Sequence, residues 1–309
     1  ITWPGAKNVE IWNVDGLAGP HILPNQDEVL IQASLSHDNR VAAILHDQGR
    51  VRLWRLDGPE KLNEWVGNGA DARFAEFSPD DSLVAVAYDD GALRLFHTNG
   101  SDPPIVLQES GNFTVEMQFS KDGKSLVSLS RDEPFLRVWS LETRSNTLLH
   151  RHGNDVDSFV LHSDGKRVLT VSADNTARIG NIDGSGEAIV LRGHTHKLLE
   201  GDFSPDGRKV VTASADGTLR VWNADGSGEP LVMRVVPDSP RHVQWSPDGR
   251  RIAAASERMI YVWNADGSGV PMSRSVSAMP LLASTSETVS ATPEASCTCP
   301  STLSCTLLY

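Results

Sequence analysis

"LLEGDFSPDGRKVVTASADGTLRVWNADGSGEPLVMRV", Leu198 to Val235, alternates short apolar runs with turn residues, and its landmarks recur along the chain. Steps of forty-two residues from "SPDG" at Ser204 land on "SHDN" at Ser36, "SPDD" at Ser78, "SKDG" at Ser120, "HSDG" at His162 and "SPDG" at Ser246. A fixed period of that length marks a tandem array of small structural units. A second landmark follows each turn: "VRLW" ending at Trp54, "LRLF" at Phe96, "LRVW" at Trp139, "ARIG" at Gly180, "LRVW" at Trp222 and "IYVW" at Trp263. A further copy, "VEIW" ending at Trp12, precedes the first turn.

Apolar and polar residues alternate with period two in these second landmarks, which predicts half-buried strands. Runs such as "KVVTAS" and "RIAAAS" are continuously apolar or small, as in a strand covered on both faces. Each unit thus holds four strands, a to d, which in the best copy are "LLEGDFS", "KVVTAS", "TLRVWNA" and "EPLVMRV". Four-stranded units of ~40–45 residues predict an all-β fold, a β-propeller of four-stranded blades. Six repeats are clear, and a seventh blade would be built from both termini. The N-terminus offers a c strand near Val9 to Val14 and a d strand near His21 to Leu23.

The C-terminus should supply the missing a and b strands, yet its turn chemistry fails. From Pro271 to Tyr309 there is no Gly, Asp, Asn, Lys or His, and fifteen of the thirty-nine residues are Ser or Thr. Turns need the residue types that are missing. The expected division is therefore a propeller over 1–276, its seventh blade incomplete, and a low-complexity Ser/Thr-rich tail over 277–309. That tail reads as poorly ordered, or as degenerate closing strands at "MPLLAS" and "TVSAT". A shifted reading frame or a fusion would also account for the abrupt change. The first residue is isoleucine, which suggests a fragment or a processed chain.

The stretch "LRGHTHKLLEGDFSPDGRKVVTASADGTLRVWNADG" (Leu191 to Gly226) resembles a WD-repeat, with a Gly-His pair upstream and a tryptophan closing strand c. The aspartate usual after that tryptophan is Asn223 or Asn264 here, and serine or arginine elsewhere. The resemblance covers residues 6 to about 275. The regular "DGSGEP" turns most resemble bacterial WD-repeat arrays, some of which carry a serine/threonine kinase domain. No kinase signature stands in this chain. The resemblance implies a hydrogen-bond network in which a histidine meets a strand-b serine or threonine, the hydroxyl meets the strand-c tryptophan, and an aspartate orients the histidine. One set is complete by that pattern: His194, Ser214, Asp216 and Trp222. The preceding unit has His152, Ser172 and Asp174 but Gly180 in the tryptophan place.

Several look-alikes need weighing. "NADGSGEPLVMR" from Asn223 begins like a calcium loop, but its twelfth position, where a bidentate glutamate belongs, is Arg234. A hairpin turn uses the same residues with fewer accidents, since glycine supplies positive φ and Asp225 can bond its own backbone. "GNGADA" from Gly67 matches a dinucleotide fingerprint, but a strand follows where that motif needs a helix. The pairs His150/His152 and His194/His196 have a spacing that could ligate metal, without a third ligand that repeats with them. A Ser–His–Asp set could be a catalytic triad. Its repetition, and the indole sharing its hydroxyl, favour a buried structural network. No metal, cofactor or catalytic residue is expected.

The net charge of −12 argues against nucleic acid as the main partner. No apolar run is long enough for a membrane helix, and no secretion signal is evident. The three cysteines, Cys297, Cys299 and Cys305, all lie in the tail, so the body suits a reducing, cytoplasmic compartment. The expected function is a non-catalytic scaffold whose partners are other proteins, met by d–a loops and b–c turns on one face. Arg73, Phe113, Arg131, Asn154, Lys197 and Arg241 are the face residues proposed on that basis. Alternatives are a regulatory domain of a larger serine/threonine kinase, and a periplasmic propeller of the TolB-like kind.

Overall fold

The chain builds strands almost throughout the residues that the computed structural model describes: 8–11, 21–24, 29–56, 61–67, 69–100, 103–235, 239–256 and 258–275. The first two strands, β1 (Asn8–Ile11) and β2 (His21–Pro24), form a two-stranded antiparallel sheet. Six four-stranded antiparallel sheets follow in sequence order. Blade 1 holds β3 (Leu30–Leu35), β4 (Val41–His46), β5 (Val51–Arg55) and β6 (Lys61–Trp65). Blade 2 holds β7 (Ala72–Phe77), β8 (Leu83–Tyr88), β9 (Leu93–His97) and β10 (Ile105–Gln108). Blade 3 holds β11 (Thr114–Phe119), β12 (Ser125–Ser130), β13 (Leu136–Ser140) and β14 (Asn146–Leu149). Blade 4 holds β15 (Val156–Leu161), β16 (Arg167–Ser172), β17 (Thr176–Asn181) and β18 (Ile189–Arg192). Blade 5 holds β19 (Leu198–Phe203), β20 (Lys209–Ser214), β21 (Thr218–Asn223) and β22 (Leu231–Arg234). Blade 6 holds β23 (His242–Trp245), β24 (Arg251–Ala255), β25 (Met259–Asn264) and β26 (Met272–Ser275).

This is the expected all-β propeller architecture of four-stranded blades, with the N-terminal c–d pair present as β1 and β2. Trp12, the tail segments "MPLLAS" and "TVSAT" and the three cysteines lie outside the described residues, as does everything in 277–309.

One blade cannot cover its own apolar faces, and the packing shows how neighbours do so. Val211, Ala213, Leu219 and Val221 of blade 5 cluster with Val243, Trp245, Ile252, Ala254, Tyr261 and Trp263 of blade 6. Leu169, Val171, Ala177 and Ile179 of blade 4 pack in the same way on Phe203, Val210 and Trp222 of blade 5. Val9 and Leu23 of the two-stranded sheet are buried against Ala42, Ile44 and Trp54 of blade 1. At about 25 cal/mol per Å² of apolar surface, this interlocked burial is what a lone sheet would lack.

The a–b turns are built alike. In blade 5 the Ser204 hydroxyl donates to Asp206 at 2.6 Å and accepts from the Lys209 amide at 2.9 Å. Ser36, Ser78, Ser120 and Ser246 make the matching bond to Asp38, Asp80, Asp122 and Asp248. The "DGSG" connections are also self-contained. The Asn223 amide donates to the Ser227 carbonyl at 2.8 Å, and Asp225 accepts the Ser227 amide at 2.9 Å. Gly226 sits at φ +75°, a conformation that favours glycine. Asp225 thus serves as a turn acceptor, and the same arrangement recurs at Asn181 and Asn264.

Inner strands present an unpaired edge, and side chains from the preceding blade cover part of it. The Val243 amide donates to Glu200 and the Trp245 amide to Asp202, each at 2.8 Å, while the Ala75 amide donates to Gln32 at 3.1 Å. Each bond spans forty-three residues, one repeat plus one. Burial pushes the Glu116 and Glu76 carboxyls up to about 7 and that of Asp202 up to about 6.

Candidate functional site

The four residues of the expected network fall in blade 5, but one of them is not part of it. His194 donates or accepts at both ring nitrogens: Nδ1 lies 2.8 Å from Asp216 and Nε2 lies 2.8 Å from the Thr212 hydroxyl. Trp222 Nε1 donates to that same hydroxyl at 2.9 Å. The strand-b hydroxyl is therefore Thr212, which corrects the expectation of Ser214. Register explains the difference: Val210 pairs with Trp222, so the indole reaches the hydroxyl two residues along, on the same face. Ser214, two residues further, instead donates to the His196 and Lys197 carbonyls at 3.0 Å and accepts from the Asp216 amide.

Donor and acceptor roles follow from the carboxylate. Asp216 accepts Nδ1–H, leaving Nε2 to accept the Thr212 O–H, while the hydroxyl oxygen accepts the indole N–H. Burial raises Asp216, but hydrogen bonds from Thr218, His194 and the Thr195 amide outweigh it and hold the carboxyl at about 2. Burial likewise holds His194 below its ordinary value in spite of the carboxylate. Thr212 has no accessible surface. A nucleophile must be reachable by its substrate, so this set resembles a triad only in its residue types.

Blade 4 solves the same problem without a tryptophan. His152 contacts Asp174 at 3.1 Å and the Thr170 hydroxyl at 2.8 Å, so Thr170 takes the role expected of Ser172. In place of the indole stands His150, whose Nδ1 lies 3.1 Å from Thr170. A Cβ on Gly180 would fall 2.4 Å from His150 Nε2, so the imidazole fills the space the missing side chain leaves. His150 reaches it because its backbone is left-handed, at φ +55°. Both histidines of this pair converge on one hydroxyl, which accounts for the spacing that suggested metal ligation. Blade 3 keeps a shorter version, Trp139 Nε1 donating to Ser128 at 2.9 Å.

The six proposed face residues lie on d–a loops, b–c turns and the first residues of strand a. In five blades the b–c turn amide donates to a d–a loop carbonyl at 2.7–3.1 Å: Asp47 to Val29, Asp89 to Asp71, Arg131 to Phe113, Ala173 to Asp155, and Ala215 to Lys197. Backbone geometry is thus held constant while the loop side chain is Val, Asp, Phe, Asp or Lys. Arg131 stacks over the Phe113 ring at 5.6 Å, and Phe113 meets Phe74 at 6.1 Å. Arg73 is the bulged residue between Ala72 and Phe74 and pairs with Asp89 at 2.6 Å. Asn154 accepts the Asp155 amide at 2.8 Å, and the Arg241 amide donates to Ala255 at 2.8 Å. Phe113 and Arg131 come together; Asn154, Lys197 and Arg241 belong to successive later blades.

Sequence reasoning passed over the arginine two residues before the position that closes strand c, at Arg52, Arg94, Arg137, Arg178 and Arg220. Its signal was present in "VRLW" and "LRVW". Gly193 makes room for one of them: a Cβ there would lie 2.6 Å from Arg220 Nη1.

Comparison with known proteins places repeats of this kind in the same part of the chain. Residues 143–179, 187–223 and 236–264 match the family described as WD domain, G-beta repeat. Over 68 residues the sequence is 32% identical to the guanine nucleotide-binding protein subunit beta-like protein of Encephalitozoon cuniculi. That match takes in 22% of this chain and 20% of the relative, so the chain spans about a fifth of the protein it matches. WD40 repeats therefore stand in the chain, and they support a protein-interaction scaffold in general.

Proposed function

We propose that the chain is a non-catalytic scaffold for protein–protein interaction, with partners meeting the face formed by d–a loops and b–c turns. The observation that carries this reading is the repeated backbone bond from b–c turn to d–a loop, which fixes five loops alike while their side chains differ. A rigid frame with variable loop side chains is the arrangement that recognition surfaces share. The polar cluster at Thr212 is consumed in holding blade 5 together, which leaves the loops as the chemically variable part. The cysteine-free body suits a reducing, cytoplasmic setting. Nothing among the described residues favours the kinase-linked or the TolB-like alternative over this one.

The test is affinity capture from extracts of the native cell, comparing the unaltered protein with Arg131→Glu and Arg241→Glu. Proteins captured by the first and lost from both variants support the face. An identical set captured by all three overturns it.

A further inference from the structure

The repeats serve as one another's controls at the strand-c arginine. In blade 1, Arg52 is buried and donates to Glu64 at 3.3 Å, the residue directly opposite on strand d. In blade 3, Arg137 donates to Glu133 at 2.6 and 3.2 Å. In blade 2, Arg94 lies over the Tyr88 ring, 5.0 Å from its centre. In blades 1 and 3 a guanidinium at this position thus takes an acidic partner, as the cost of desolvating a charge requires.

Blades 4 and 5 depart from that rule. The residue opposite Arg178 is Val190, and the one opposite Arg220 is Val232. Among the described residues neither arginine has an ion pair, and the Nε of each is buried without a hydrogen-bond partner. Arg220 rests 5.9 Å from the Trp222 ring. On the same faces two residues along strand d stand Arg192 and Arg234, both exposed. Val232 is 44% exposed. Each of these two neighbouring blades thus carries two guanidiniums on one face, in a chain whose net charge is −12.

We propose that the outer flanks of blades 4 and 5 bind an extended acidic segment of a partner protein. Its carboxylates take the place that Glu64 fills opposite Arg52, and an aliphatic side chain covers Val232. Bidentate pairing suits guanidinium to carboxylate, and the apolar neighbour excludes water from the pair. This inference rests on the scaffold reading and names the chemistry of one partner, at a surface separate from the loop face.

The test uses the full chain and fluorescence anisotropy of a labelled decapeptide alternating glutamate and valine, with a lysine–valine decapeptide as comparison. The glutamate peptide should bind with an affinity that falls as salt rises, and the lysine peptide should not. The pair Arg178→Gln and Arg220→Gln should weaken binding by about tenfold or more. The pair Val190→Glu and Val232→Glu supplies the carboxylates in cis, as Glu64 does, and should abolish binding while the thermal midpoint holds or rises. Arg208→Glu, a charge change on an a–b turn, should leave binding unchanged. Equal binding of both peptides, or undiminished binding by the Val190→Glu and Val232→Glu variant, overturns the proposal, and that variant decides even if the glutamine pair does not fold. Partner capture that depends on Arg131 and Arg241 while the peptide fails to bind would sink this inference and leave the scaffold reading standing. Peptide binding without any captured partner would do the reverse.

Discussion

His150 should make blade 4 sensitive to acid, and the structure fixes both the sign and the size. Burial first, then the charges of His152 and Arg178, lower this imidazole from 6.5 to about 4. Its Nδ1 lies 3.1 Å from the Thr170 hydroxyl, while Nε2 faces the Gly180 backbone. The folded pKa lies below the unfolded one, so the unfolded chain binds the proton first. Stability from this group is complete above about pH 6.5 and is lost progressively as pH falls toward 4. At about 1.4 kcal/mol per unit the full shift amounts to ~3 kcal/mol, and partial exposure of the ring trims it to ~2.

Other groups titrate over the same range in the opposite sense. Glu76 and Glu116, raised to about 7, and Asp202, raised to about 6, let the folded state hold extra protons and so gain stability as pH falls through their folded pKa values. The whole-protein profile is therefore a sum, and only a difference isolates the histidine. Urea unfolding of the wild type and of His150→Gln, followed by tryptophan fluorescence at steps from about pH 8 to about pH 4, supplies it. Near pH 8 the variant should be less stable by ~1 kcal/mol for the weakened bond to Thr170. That deficit should vanish and then reverse as pH falls, by a total swing of ~2 kcal/mol. Parallel profiles would refute the reasoning, since the burial of His150 would then carry no penalty for its charged form.

Two further substitutions probe the hydroxyl at the centre of blade 5. Trp222→Phe removes one indole donor and should destabilise by ~1 kcal/mol, read as a lowered urea midpoint; an unchanged midpoint would count against the network. Thr212→Val keeps the shape but leaves both the His194 Nε2 and the Trp222 N–H buried without a partner, so a larger loss of ~2–3 kcal/mol is expected in the same assay. If the valine variant were the milder of the two, the hydroxyl would not be the shared partner.

The period of forty-two was legible because turns are chemically conspicuous, and the blades follow from it with their strands in the expected order. Even the degenerate turns declare themselves, since Asn39 and Asp81 hold the left-handed conformation where other copies have glycine. What failed to show was choice among near-equivalents. Thr212 and Ser214 share one face of one strand, and the position of the tryptophan in the register decides between them. His150 was harder still, because it substitutes for a residue in another strand, and only a reversal of φ brings its ring across. The arginine column was visible as letters, but the partners of Arg52 and Arg137 come from different places, strand d in one blade and the b–c turn in the other.

Those last cases share a cause. A repeat constrains each position to do the same physical task in every copy, but it leaves open which residue does it. Where blade 4 lacks the tryptophan, a histidine from the preceding connection takes over its bond, so the departure is compensated within the chain. Where blades 4 and 5 lack the acid that answers the arginine in blade 1, the Nε of each arginine is buried without a hydrogen-bond partner, and Arg220 meets the Trp222 ring in place of a carboxylate. Departures of the first kind report on stability alone. The second kind leaves a half-buried charge without an opposite charge beside it, which is costly in isolation and is relieved by a partner of opposite charge. On that physical ground the flanks of blades 4 and 5 differ from the other departures in the array, and the Val232→Glu substitution asks whether an acid is what they lack.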